Sequence, residues 1–310
     1  MAGGAQLALA HRSLPGDGLL WQHGGNCWWW ADAPAATLHA WQETGRSPAA
    51  WRLPEQAGSF AFCRSGRLLV GLAKWLCFAD VPGATTTTRP LALQPVVAVD
   101  PAEPRTRLAD GRTDRRGHFV FGTRIAAQEP RAIGSFYQYS QVHGLRRLAL
   151  PAAVAAGSIC FSPDGATMYF STGERRIMCC DYDADSAQVA GIRLFAELAH
   201  GVPHGATVDS EGCVWSAGQG SGQLLRHAPD GERIGAWALP APCATRPAFG
   251  GAALDCLMVG SAAAGHEGNG RNGRNGRNGR DKGGSLFRLA LPGVRGMPDM
   301  PFDDGLEPWP

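Results

Sequence analysis

The chain contains no run approaching the roughly 20 apolar residues that a bilayer-spanning helix requires, so a helical membrane anchor is not expected. Charge of neither sign dominates: the net charge is +2 and 18% of the residues are charged. Such a balance argues against a nucleic-acid or anionic-membrane partner. Nine cysteines are present, but no C-x-x-C pair occurs among them, which removes the zinc-knuckle and thioredoxin-type readings. There is no G-x-S-x-G elbow, no P-loop and no dinucleotide-binding glycine fingerprint. The opening residues, "MAGGAQLALAHRSLPGDG", carry one short apolar patch with no basic start before it. No signal peptide is read there, and the expected location is the cytoplasm. Helical periodicity is also missing, since no stretch of a dozen residues sustains a 3.6-residue apolar repeat.

What is present is a globular, turn-rich composition: 310 residues, 44% apolar, with 42 glycines and 22 prolines. A short theme of strand, glycine-bearing turn and strand recurs. It appears in "LLWQHGGNCWWWADAPAATLHAW" (19–41), in "GSFAFCRSGRLLVGLAKWLCFAD" (58–80), and in "LADGRTDRRGHFVFGT" followed by "GSFYQYS". It returns in "FSPDGATMYFSTGERRIMCCDYD" (161–183), in "ATVDSEGCVWSAGQGSGQLLRHAPDGE" (206–232), and in "PAFGGAALDCLMVGSA" with "GGSLFRLAL". Six units spaced by roughly 45 to 50 residues predict radial repetition, because a small antiparallel sheet buries both faces only by stacking on neighbours. The expectation is an all-β, six-bladed β-propeller spanning residues 1–310 as one domain. A two-sheet sandwich is the alternative, but about twenty strands are too many for one.

Within this frame Cys160, Cys213 and Cys256 sit in apolar runs and read as small buried hydrophobes. Adjacent Cys179 and Cys180 should point to opposite faces of a strand. Trp28 and Trp30 should pack between blades. The tract "GHEGNGRNGRNGRNGRDKGG" (265–284) has no apolar residue and falls between two strands of the last unit. It is expected to be a disordered loop inserted in that blade, since it cannot repay its ordering entropy.

The ordered set "LPGDGLLW", "WWWADAPAATLHAW", "RLADGRTDRRGHFVFGT", "ICFSPDGATMYFST", "GVPHGATVDSEGCVWSA" and "GGSLFRLAL" resembles the gluconolactonase, regucalcin (senescence marker protein 30, SMP-30) and L-arabinolactonase family. The resemblance runs from about residue 14 to 295. It implies a propeller with one divalent metal (calcium, zinc or manganese) at an end of its central channel. It also implies hydrolysis of sugar lactones to aldonic acids by a metal-activated water. Carried over position by position, the family's first metal ligand falls on Asp17, a shortened carboxylate. The substrate motif falls on Arg107-Leu108-Ala109-Asp110-Gly111, where Arg107 and Asp110 are the implied substrate-binding residues and Ala109 has lost an amide. A ligating amide is lost again at Gly157, and the ligand that doubles as base falls on His204. The resemblance therefore implies a diverged centre held by Asp17 and His204. Two roles stay open for His204: an imidazole ligand to a borderline metal, or a metal-free general base held by Asp17, with Arg107 lending charge to the oxyanion. The alternative function is a non-catalytic propeller, a pseudo-lactonase binding a small molecule or a protein partner.

Overall fold

The structure, a computed structural model, describes residues 4–11, 15–44, 47–81, 89–127, 130–262 and 283–306, with 15–17 described by backbone alone. Among the described residues every regular element is a β-strand. They fall into antiparallel groups of four, each a meander from a first, inner strand to a fourth, outer one. Blade I comprises Pro15–Gln22, Cys27–Asp32, Thr37–Trp41 and Ala49–Arg52, with the two-residue strand Arg89–Pro90 added in parallel at its edge. Blade II runs Ser59–Phe62, Leu68–Gly71, Trp75–Ala79 and Leu93–Ala98, and blade III runs Thr106–Thr113, Phe119–Ile125, Phe136–Ser140 and Gly144–Arg147. Blade IV is Gly157–Phe161, Thr167–Ser171, Arg176–Asp183 and Gln188–Glu197, and blade V is Val202–Val208, Val214–Gln219, Gln223–His227 and Arg233–Ala238. Blade VI takes Cys243–Gly250, Cys256–Ala262 and Ser285–Ala290 from the end of the chain, and its outer strand, Gln6–Ala10, from the beginning. Blades V and VI are further linked by the pair Gln219–Cys243.

The six inner strands touch in a cycle, and the strand Cys243–Gly250 closes it against Pro15–Gln22. The chain is therefore a β-propeller, and its ring is locked by an outer strand borrowed from the N-terminus. Alternating side chains explain the stacking. Trp29 stacks on Trp51 and joins the core shared with Phe60, Leu68 and Val70 of blade II. Trp28 and Trp30 point the other way, into a cluster with Met258, Cys256 and Leu286 of blade VI. Cys180 lies in the core between blades III and IV, while Cys179 lies in the core between IV and V. Each inter-blade space is filled by its own apolar cluster, so burial and ring closure are one event.

The hairpins between first and second strands share one turn. In blades II to V a glycine N–H donates to the carbonyl three residues earlier: Gly66 to Cys63, Gly117 to Asp114, Gly165 to Ser162 and Gly212 to Asp209. These glycines sit at φ of 76 to 85°, the left-handed region the turn needs. The expected loop 265–284 joins two neighbouring strands of blade VI; its residues 265–282 lie outside the described residues. Among the described residues no helix is long and apolar enough to cross a membrane.

Candidate functional site

Five of the six inner strands lose ladder register at one level: between Asp17 and Leu20, Leu108 and Gly111, Gly157 and Cys160, Pro203 and Gly205, and Ala244 and Pro247. The inner strand of blade II, Ser59–Phe62, runs without a shift. A bulge places an extra residue on one strand and re-aims its side chain. Here the bulges form a ring around one end of the channel. They present Ala109 and Asp110 from blade III, Ser158 from blade IV, His204 from blade V and Arg246 from blade VI.

Asp110 and Arg246 meet at the centre. The Arg246 guanidinium donates from Nη1 to Asp110 Oδ1 and from Nη2 to the Gly111 carbonyl at 3.1 Å. The other oxygen, Asp110 Oδ2, accepts the Ile159 backbone N–H at 3.0 Å. Arg246 is only 2% exposed, so this ion pair is buried. A Cβ built at Gly157 would lie 3.4 Å from Asp110 Cβ and 3.8 Å from Asp110 Oδ2, so a side chain there would reach over the same carboxylate. A Cβ at Gly205, the residue after His204, would press within 2.9 Å of Arg246 Cα. Positions 110 and 157, singled out in the sequence, thus meet beside Arg246, which the sequence did not mark, and Gly205, the neighbour of His204, packs on that arginine's stem.

The remaining expected residues are placed as follows. His204 is half-buried, and its Nδ1 is buried without a hydrogen-bond partner. Arg107 is half-buried, and its Nη1 donates to Gln56 Oε1, in the connection into blade II, at 2.5 Å. Asp17 contributes its backbone to the first bulge, and its side chain lies outside the described residues. The missed residue, Arg246, is the one charged residue in the strand "CATRPAFG"; that lone charge is the only mark it leaves in the sequence, and the burial of the strand's last seven residues is seen in the structure.

Below the bulges the channel stays polar. Arg112, 7% exposed, donates from Nη1 to Thr207 Oγ1 at 2.9 Å and pairs through Nε with Asp299 Oδ1 at 3.3 Å. Cys160 lies close enough to feel the charges of Arg112, Asp110, Arg115 and Arg246, yet burial pushes its thiol up to about 12. It therefore stays protonated and is no nucleophile at neutral pH. The far end is crossed by the C-terminal segment. The Met300 carbonyl accepts from Thr113 Oγ1, Phe302 N donates to the Phe62 carbonyl, and Asp304 accepts from Ser65 and Arg67. A cavity of about 670 Å³ lies on that side, lined among others by Trp21, Phe60, Arg112, Phe249 and Asp299.

One acidic cluster stands apart from the channel axis site. Ligand atoms of Asp209, Glu211 and Cys213 lie within 4.8 Å of one another. The buried carboxylate among them, Asp209, is already committed. Asp209 Oδ1 accepts the N–H groups of Glu211 and Cys213 at 3.0 and 2.9 Å. Asp209 Oδ2 accepts Trp215 Nε1 at 2.9 Å and Arg226 Nε at 3.0 Å. Arg226 Nη2 also bridges to Glu211 Oε2 at 2.5 Å, and burial raises the Cys213 thiol. The cluster is a pin for the blade V hairpin, with a guanidinium where an ion would sit.

The family model described as SMP-30/Gluconolactonase/LRE-like region matches residues 15–263. The chain is 39% identical over 244 residues to an L-arabinolactonase of Azospirillum brasilense, covering 77% of this chain and 78% of that protein. It is 31% identical over 253 residues to a 6-deoxy-6-sulfogluconolactonase of Pseudomonas putida, covering 81% and 84%. Among solved structures, it resembles a luciferin-regenerating enzyme with a TM-score of 0.85 at 23% identity, covering 97% of this chain and 100% of that one. It also resembles a calcium-binding protein, regucalcin, from Agrobacterium tumefaciens with a TM-score of 0.83 at 24% identity, covering 97% of each. With four-fifths of its length under the family model and a propeller shared with these structures, the chain belongs to the SMP-30/gluconolactonase/LRE-like family.

Proposed function

We propose that the chain opens sugar-acid lactones at the bulged end of its channel. The observation that carries this reading is the buried Asp110–Arg246 pair, with the bulge that bears His204 packed on the Arg246 stem through Gly205. Likeness to proteins named for lactone hydrolysis supplies the substrate class. In the proposed step, water oxygen attacks the lactone carbonyl carbon and gives its proton to the His204 imidazole. The charge gathering on the carbonyl oxygen is stabilised by hydrogen bonding to the fixed Arg246 guanidinium. The ring C–O bond then breaks, and the leaving alkoxide takes the proton back from the imidazolium. The sum is one lactone and one water giving one hydroxy acid. Arg107, half-buried beside this end, would hold substrate hydroxyls.

The test is acid release from a panel of pentono- and hexonolactones, followed with a pH indicator. A rate above spontaneous hydrolysis, cut about 10²-fold or more by His204→Ala, is expected. No lactone opened faster than in buffer would sink the proposal.

A second reading has its own support. The carboxylate beside Gly157 is fully engaged by Arg246 and Ile159, and Ala109 brings no polar group. A propeller that holds a small sugar acid without turning it over fits those facts. Calorimetric binding of an aldonate, with no lactone hydrolysed, would favour it.

A further inference from the structure

The family resemblance implies a divalent cation among positions 17, 109, 157 and 204, and the donor set at those positions does not fit one. Ala109 and Gly157 offer no ligand atom, and His204 offers a single nitrogen. Asp110, the carboxylate nearest Gly157, has Oδ1 on Arg246 and Oδ2 on the Ile159 N–H. Calcium takes six to eight oxygens, and zinc takes four strong N, O or S ligands. Neither set can be assembled from one imidazole and one shortened carboxylate. Charge argues the same way. A dication drawn to Asp110 would approach a guanidinium that is 2% exposed and so cannot swing into solvent. At an effective dielectric near 20 a close cation pair repels strongly.

We infer that Arg246, in its pair with Asp110, has taken the place of the metal, making the bulged end of this channel a metal-independent centre whose guanidinium hydrogen-bonds the electron-rich oxygen of a lactone or an aldonate. The assignment explains three features together. The guanidinium needs a counter-charge, and Asp110 supplies it. It needs room, and Gly205 leaves that room: a Cβ there would meet the Arg246 backbone and stem. It needs to be rigid, and the Gly111 carbonyl holds its second nitrogen at 3.1 Å. The ligand half of this inference rests on the lactonase reading above, whereas metal independence does not.

Two measurements on the full-length protein separate the two halves. The first is elemental analysis after gel filtration, together with thermal melting in EDTA and in added calcium, manganese or zinc. Far less than one ion per chain and an unmoved Tm are expected. One retained ion per chain, or a Tm that falls in EDTA and returns with a metal, overturns the inference. The second compares lactone opening, or gluconate binding where no lactone is opened, in the parent, Arg246→Lys and Arg246→Met. The parent should outperform Arg246→Met by about 10²-fold. Arg246→Lys should keep part of the function, because it restores the charge without the fork. Equal function in a folded Arg246→Met variant removes the arginine from the site. A parent that neither opens lactones nor binds gluconate refutes the ligand class while the metal measurement stands.

Discussion

Replacing Asp209 with alanine distinguishes a structural pin from a metal ligand. The side chain is fully buried and accepts two backbone N–H groups, the Trp215 indole N–H and the Arg226 guanidinium. Truncation strands those donors, and a buried donor left unpaired costs about 1–3 kcal/mol. Removing one partner of a buried ion pair costs about 3–5 kcal/mol. The terms overlap, and Arg226 keeps Glu211 as a second partner at 2.5 Å, so part of the charge is recovered. A net loss of about 3–4 kcal/mol is expected, a large share of a typical total of about 5–15. Asp209→Asn, which keeps one acceptor oxygen, should lose about half as much. The assay is urea unfolding of parent and variants, each with EDTA and with excess calcium. The pin predicts curves that superimpose across those conditions. A loss under about 1 kcal/mol for Asp209→Ala, or a parent whose midpoint drops in EDTA while the variant's does not, refutes it.

Three further outcomes follow from the fold. Deleting residues 1–10 removes the outer strand of blade VI and the packing of Ala8 and Leu9 on the Trp28 cluster, exposing the edge Ser285–Ala290; about 2–5 kcal/mol of stability should go, with concentration-dependent aggregation, and an unchanged Tm would count against ring closure by this strand. His39, stacked on Trp30, is driven down to about 4 by burial and by nearby His11. The unfolded imidazole titrates near 6.5, so the unfolded chain binds the extra proton between those values. Stability should be complete above about pH 6.5 and fall by up to about 3 kcal/mol as the pH drops towards 4, and urea midpoints that stay flat over this range would contradict the assignment. Of nine cysteines, eight are buried and Cys243 is half-buried. With Cys27 and Cys256 pushed to about 11 and Cys160 to about 12, native labelling with a maleimide should modify Cys243 first and the others only after unfolding.

The propeller was legible because its signals are local and repeated. Glycine at the hairpin and alternation along the strands reappear from blade to blade, so a misread unit is corrected by the others. Residues that depend on the ring itself were harder to see. Arg246 pairs with a carboxylate 136 positions earlier in the chain, and nothing in "CATRPAFG" announces the contact. The repeated theme of the sixth unit is legible only from Pro247, one residue past the arginine. The borrowed outer strand Gln6–Ala10 was missed for the same reason: its partner lies at Ser285–Ala290.

Asp304 shows where repetition breaks and distance takes over. Blades III and V pin their first hairpin with an aspartate at the turn, Asp114 and Asp209. Blade II has Cys63 at that place, with no carboxylate to offer. Asp304, 239 positions after Ser65, arrives on the C-terminal segment and accepts from Ser65 and Arg67 instead. The segment that closes the far end of the channel thus also completes a blade, because Asp304 is fully buried at its side chain and Arg67 is its counter-charge. Trimming the chain before residue 298 would accordingly cost more than the plug. It would leave Arg67 without its carboxylate and open the core that Phe302 shares with Phe78 and Tyr139. The segment that crosses the far end of the channel is thus bound into the ring by the same contacts that finish blade II.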